Sequence, residues 1–465
     1  MISFTDQLII IAYFGLLLAS LFVRSWKSNT AFDYVLAGRR VTLFPFVATM
    51  VATAYGWVLG IGELYYSFGI SAWLFLSLPY SLFFMLFAIF FAKRSRESKY
   101  ATLPDLLADK YGKKVAVMGS LLILLISSPA MYILMTAQIL HYVWNIDITL
   151  CLAISTFFSM VYLFNGGFKT VVNTDLFQFV LMFAGFATVV VTLFIEYGIA
   201  PIDVLPEKYT SFHIKDSLWY VISWFLLASV TLVDPNYHQR VYSVDKPATA
   251  QKGLIISVLC WTIFDFLAAA SALYAISLMP GIENRAFTYL ELGSRFLPMI
   301  VTGIFFVGLL ATVVSTTNSF LFTSALSLSK DLLHRNGLLL KYPVEKLTNA
   351  SLVVISFMSF IIAWLYRDSS AVALFFDVTP VVAAVLLLPV LASFFPLTRI
   401  KGSQVLVQML FAFCVTILYQ LLQPELGPEF VQINSVYFGL TASLLLHLFF
   451  LLSEKRTPTL PSSLQ

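Results

Sequence analysis

Charge is what this sequence is shortest of. Lys, Arg, Asp and Glu make up 11% of its 465 residues, where soluble proteins carry about 25%. That excludes a set of ordinary water-facing globular domains. Cysteine is nearly absent. Cys151, Cys260 and Cys414 each sit inside an apolar run, with neither the spacing of a metal site nor the pattern of a disulfide framework. The five histidines, His141, His213, His238, His334 and His447, are scattered. There is no glycine-rich phosphate loop, no H-E-x-x-H pair and no polar stretch long enough for an enzyme domain. The formal charge of +4 is too small for the basic surface that nucleic acid requires.

What remains is hydrocarbon. Apolar residues make up 60% of the chain and the mean hydropathy is +0.89. A bilayer is crossed by about 20 apolar residues in a helix. The fold class expected is therefore an all-α polytopic membrane protein of about 13 transmembrane helices, embedded in lipid. The spans read as 6–24, 43–69, 71–93, 115–143, 148–166, 172–196, 216–234, 250–279, 298–329, 345–366, 371–397, 403–423 and 432–453. The first lacks a basic leader and a small-residue cleavage site, so it reads as a span rather than a signal peptide. If the N-terminus is outside, 23 of the 28 Lys and Arg fall on the inner side, among them Arg24, Lys27, Arg39, Arg40, the cluster from Lys93 to Lys114, and Arg456. Lys208, Lys215, Arg285, Arg295 and Arg367 stay outside. The positive-inside rule then predicts a multi-pass protein of the plasma (inner) membrane with a cytoplasmic C-terminus.

Against that background the polar residues within spans stand out. Ser315-Thr316-Thr317-Asn318-Ser319 interrupts an apolar run from Ile300 to Leu328. Hydroxyls in hydrocarbon need partners. They either bond back to a carbonyl one turn earlier and glue helices together, or they hold a hard cation that prefers oxygen ligands. The second span carries Ala54-Tyr55-Gly56-Trp57 and Gly60-Ile61-Gly62-Glu63. This is either a close-packed glycine face or an unwound segment lining a cavity. The seventh ends in Asp234-Pro235-Asn236-Tyr237-His238-Gln239-Arg240, where Pro235 ends or kinks the helix. Thr102 and Pro104 predict a short capped surface helix. Four carboxylates, Glu63, Asp175, Asp265 and Asp377, lie in or at the edge of spans, where acids cost about 2.5–3.5 kcal/mol at a helix centre. Glu63, Asp265 and Asp377 are candidate proton or cation sites, with hydrogen bonding to hydroxyls as the structural alternative. Asp175 could equally be a helix N-terminal acid favoured by the macrodipole.

The motifs together resemble the sodium/solute symporter family. The resemblance rests on Ala37-Gly38-Arg39-Arg40, Gly60 to Tyr66, Gly166-Gly167-Phe168-Lys169-Thr170-Val171-Val172 with Thr174-Asp175 and Gln178, Gln239-Arg240, and Ala311 to Lys330-Asp331. It implies a leucine-transporter-like fold of two five-helix inverted repeats, each opened by a discontinuous helix. Residues 1–42 would be a leading helix and loop, 43–196 the first repeat, 197–397 the second with an extracellular loop, and 398–465 two trailing helices and a tail. It further implies sodium as coupling ion, held by carbonyls of Met50, Thr53 and Thr312 and hydroxyls of Ser315 and Thr316, with Asp175 as a nearby carboxylate. Thr317, Asn318 and Ser319 would then pack. A substrate between the broken helices would meet Gly56 and Trp57, with Gln138, Trp224 and Phe376 as candidates by position.

The leading expectation is thus a sodium-coupled symporter for a small organic solute such as an amino acid or organic acid. Phe75, Leu76 and Pro79 stand where the sugar-carrying branch uses polar side chains, so a sugar is disfavoured. A proton-coupled or cation-substrate transporter using Asp265 and Glu63 is the alternative, and a membrane sensor module a third. An enzyme is not expected, and the oligomeric state is not legible.

Overall fold

The computed structural model describes residues 2–23, 30–164, 166–212, 218–368, 371–427, 430 and 433–455. Arg24, Lys27, His213, Lys215 and Arg456 lie outside the described residues. Among those described, regular structure is helical apart from one isolated bridge between Val41 and Val244. The principal helices are α1 (Phe4–Val23), α2 (Leu43–Ala54), α3 (Val58–Phe68), α4 (residues 72–97), α5 (Leu103–Tyr111), α6 (Lys113–Ile126), α7 (Ala130–Trp144), α8 (Ile148–Leu163) and α9 (Gly167–Tyr197). They continue with α10 (Leu218–Ala228), α11 (Pro235–Ser243), α12 (Pro247–Leu278), α13 (Val301–Leu326), α14 (Val344–Leu365), α15 (Ala371–Phe394), α16 (Gly402–Leu422) and α17 (Val436–Lys455).

Ten helical stretches among the described residues are long and apolar enough to cross a membrane, and Phe4–Ala19, Leu43–Ala54 and Ile148–Val161 are shorter apolar helices. The sequence suggests about thirteen spans. Part of the difference has a local cause, since the second span is cut after Ala54 and α2 alone falls short of a full crossing. The seventh is cut as well. A 3-10 turn over Ser229–Leu232 leads from α10 to Asp234, whose carboxylate accepts from the Asn236 amide at 2.8 Å and caps α11, with Pro235 at its first position. The two broken helices are tied where they meet one end of the molecule. The amide of Val41 donates to Ser243 O, and that of Asp245 to Val41 O.

The centre belongs to α13, whose apolar window is 94% buried, whereas those of α16 and α17 are 28% buried. It lies most closely on α9. A Cβ at Gly185 would come 2.9 Å from the Gly308 Cα, and the reverse holds too. Without a hydrophobic drive inside lipid, such small-residue contacts supply the packing. α2 packs on α9, α12 and α13, and its broken end meets the hydroxyls of α13.

Cations collect at one end. Arg39 donates to Ser98 O and Tyr100 O, and Arg96 to Val244 O and Asp245 O. The start of α5 is held by Asp105, whose carboxylate accepts from the Ala101 and Thr102 amides at 3.0 Å. A π-helical turn after α13 (Ser327–His334) swings Lys330 to 2.7 Å from Asp105 and leads to Arg335, which bonds Asp105 and Asp331. Burial works against the Asp105 carboxylate, but Lys330 and Arg335 outweigh it and hold its pKa at about 2.

Candidate functional site

An α-helix leaves its last four carbonyls without intrahelical partners. In α2 these include Val51, Ala52 and Thr53, and neighbouring side chains take up all three. Trp261 Nε1 donates to Val51 O at 3.4 Å. Ser315 Oγ donates to Ala52 O at 2.8 Å, and Thr316 Oγ1 to Thr53 O at 3.0 Å and Ala52 O at 3.3 Å. The same two hydroxyls reach back to Thr312 O at 3.0 and 3.2 Å. Five oxygens therefore converge at the helix break: three carbonyls and two hydroxyls, all buried. A hydroxyl can donate into a carbonyl or turn its lone pairs toward a cation, so the cluster can exchange its internal hydrogen bonds for ligation of a small hard ion. At Gly56, within the break, a Cβ would lie 2.3 Å from Thr316 Cβ and Oγ1. Only glycine lets the unwound backbone come this close.

Beside that cluster lies a second one built on a cation of the protein's own. Arg240, on α11, is fully buried, as is Asp175 on α9, and their closest approach is 3.2 Å. Asp175 also accepts from Thr49 Oγ1. The guanidinium donates to Thr53 Oγ1 at 2.5 Å, Ser319 Oγ at 2.6 Å, Asn236 O at 3.2 Å and both oxygens of Thr49, with its carbon 5.6 Å from the Phe168 ring centre. A charge survives in such a place only when paired and saturated with hydrogen bonds. Thr53 joins the two clusters, its carbonyl meeting Thr316 and its hydroxyl meeting Arg240.

A cavity of about 310 Å³ opens beside the break, walled by α2, α3, α4, α6, α7, α11, α12, α13, α14 and α15 and by the turn that follows α10. Tyr55, Trp57, Tyr80, Tyr132, Tyr237 and Trp261 contribute rings, and Asp234 and Asp265 contribute carboxylates. Tyr55 donates its hydroxyl to Asp265 at 2.5 Å. Trp57, Phe375 and Trp224 form a nearly parallel trio with centroids 5.5–6.1 Å apart. The first two reach the cavity, with Trp224 buried behind them.

The sodium:solute symporter family profile matches residues 34–403. The chain belongs to this family. Among its relatives is the sodium/pantothenate symporter of Haemophilus influenzae, 24% identical over 331 residues that cover 67% of this chain and 68% of that one. The human high affinity choline transporter 1 is 28% identical over 270 residues, 52% of this chain and 45% of its own length. A solved Na+-coupled sialic acid symporter superposes with a TM-score of 0.81 at 16% identity, covering 98% of both chains. At that identity the likeness speaks for the fold, which is the leucine-transporter-like arrangement of two inverted five-helix repeats.

In this member of the family, the residues singled out from sequence scatter over several environments. Ser315, Thr316, Thr312 and Thr53 come together at the break. Met50 does not join them. Its carbonyl lies one turn inside α2, where the helix ladder claims it, and Ala52 supplies the oxygen instead. Asp175 does not touch the hydroxyl pair but answers Arg240. Ser319, read from sequence as packing, belongs to the arginine cluster. Trp57 and Asp265 line the cavity, while Gly56 packs on Thr316. Gln138 and Phe376 are outside the wall, although Phe376 meets Trp224 edge-on at 5.1 Å. Glu63 is half-buried on α3 away from the cavity, and Asp377 is exposed, receiving the Tyr366 hydroxyl at 2.9 Å. Sequence reasoning missed Arg240 and Asp234 as site residues. Their signal was the polar run after the break in the seventh span.

Proposed function

We propose that this protein is a sodium-coupled symporter that moves a small organic solute inward by alternating access. The ion's ligands on this reading are the carbonyl oxygens of Ala52, Thr53 and Thr312 and the hydroxyls of Ser315 and Thr316. The observation that carries the proposal is the convergence of those five oxygens on the end of α2. The ion and the solute would then share one element, because Thr53 and Tyr55 face the cavity while the adjoining carbonyls face α13. Whatever sodium does to the break is felt by the solute, and by linkage the solute returns it in equal measure. Residues 43–196 and 197–397 act as the two repeats that rock against each other, residues 1–42 lead into them, and 398–465 trail. The bias of Lys and Arg toward the end that carries Arg39, Arg96, Lys330 and Arg335 makes that end cytoplasmic.

Because the solute is unidentified, the ion is tested first. Purified protein is expected to melt at a higher temperature in NaCl than in KCl of equal strength, since a ligand of the folded state stabilises it by mass action. Thr316→Ala is expected to abolish that difference while melting normally in KCl. A Thr316→Ala protein that keeps the wild-type sodium response sinks the assignment.

A further inference from the structure

The cavity wall is acidic and aromatic. Two of its residues are acids, Asp234 and Asp265, at 6% and 3% exposure, and among the described residues the wall holds no Lys, Arg or His. Arg240, on the same short helix as the Asp234 cap, directs its hydrogen bonds to Asp175, Thr53, Ser319, Thr49 and Asn236 O. The neutral partners of the two acids are few: the Tyr55 hydroxyl on Asp265, with Ser77 beside it, and the Asn236 amide on Asp234, with that of Tyr237 beside it. An ionised carboxylate has about four acceptor sites, so each retains capacity toward the cavity. The rest of the wall is aromatic. Ten of its 28 residues are Phe, Tyr or Trp, against 16% of the chain. Ring faces attract cations and tolerate methyl groups. The hydroxyl of Thr231, a fully buried residue on the same wall, has no partner among the described residues, so a polar group of a solute is left to satisfy it. An anionic solute would meet repulsion, and the α11 N-terminus, the natural seat for a carboxylate, is already taken by Asp234.

We propose that the solute is a small organic cation, a substituted ammonium whose charge lies toward Asp265 and Asp234 and whose carbon substituents lie against the tyrosine and tryptophan rings. The volume of about 310 Å³ sits at the low end of the roughly 300–1,000 Å³ of ligand pockets, which suits a compact molecule. The inference rests on the transport reading above and specifies the chemistry of its cargo.

The test is a melting panel in NaCl and in KCl with tetramethylammonium, choline, proline and pantothenate, two cations set against a zwitterion and a monoanion. At least one ammonium is expected to raise the melting temperature in NaCl, more than in KCl, with no shift from proline or pantothenate. Asp265→Asn is expected to weaken the ammonium's apparent affinity at least tenfold while leaving the response to NaCl alone intact, which also certifies that the variant is folded. Asp234→Asn serves the same purpose should Asp265→Asn fail to fold. Stabilisation by proline or pantothenate without any from the ammoniums overturns the proposal. So does silence from both ammoniums, or an unchanged ammonium affinity in a folded carboxylate variant. Loss of the NaCl response in the wild type, with ammonium binding kept, overturns only the sodium reading.

Discussion

The pair of Arg240 and Asp175 offers the sharpest energetic test of how this interior is held. Both side chains are fully buried, 3.2 Å apart at closest approach. At an effective dielectric of ~20 their attraction amounts to about 5 kcal/mol. Most of that is offset by the desolvation of both charges, so the pair adds little over a well-packed apolar pair. Removing one partner is a different matter. Arg240→Leu leaves Asp175 without its counter-ion in a dry interior and strips donors from Thr53 and Ser319. The expected cost is about 3–5 kcal/mol. Asp175→Asn alone should cost a similar order, because the guanidinium then stands unpaired. The double variant, Asp175→Asn with Arg240→Leu, should recover much of the loss, with an interaction energy of at least ~2 kcal/mol in the cycle. Unfolding in mixed micelles, titrated with a denaturing detergent, measures all four proteins on one scale. Single costs that simply add, within ~0.5 kcal/mol, refute the claim that the two charges depend on each other.

Two further substitutions probe other parts of the molecule. Gly56→Ala puts a Cβ 2.3 Å from Thr316; overpacking of about 1–3 kcal/mol is expected, together with loss of the sodium-dependent melting shift, and a variant that melts and responds like wild type shows the approach to be slack. At the basic end, Asp105 titrates below its unfolded value, so its ion pairs stabilise the fold above pH ~4 and that contribution fades as pH falls through its folded value of about 2. The melting-temperature gap between wild type and Asp105→Asn is thus expected to be constant above pH ~4 and to close toward pH 2, whereas a gap that ignores pH removes the ion pairs from the account.

Hydropathy made the bundle legible because lipid demands long apolar helices and little else. The breaks were legible too, since Gly56 and Pro235 are the residues that tolerate or impose an interrupted ladder. Ser315 and Thr316 stood out through their oddity in an apolar run, and of the carbonyls named with them Thr53 and Thr312 do meet the two hydroxyls, while Ala52 rather than Met50 is the third, because the point where α2 stops fixes which oxygens are free. The burial of Arg240 was beyond reach. Its partner Asp175 is 65 residues away, and a guanidinium next to a predicted helix end reads as an inner-surface cation until the fold carries it inside. Trp224 and Phe376 lie in one aromatic cluster with Trp57 and Phe375, but only the latter two reach the cavity. One ring in a chain so rich in rings carries little information about direction.

The three residues between α2 and α3, Tyr55 to Trp57, lie outside the rigid helices. Holding a residue's backbone in one conformation costs about 1–2 kcal/mol of entropy, so fixing this segment costs about 3–6 kcal/mol. On the sodium reading, an ion held by Ala52 and Thr53, at the helix end from which the segment departs, imposes part of that loss before the solute arrives. The solute then binds a segment whose disorder is already gone, which can supply coupling of the usual size, about 1–3 kcal/mol, without any contact between ion and cargo. The same arithmetic sets a limit. If the segment were stiff from the start, the solute would bind equally well with or without the ion, and the sodium gradient would have nothing left to drive.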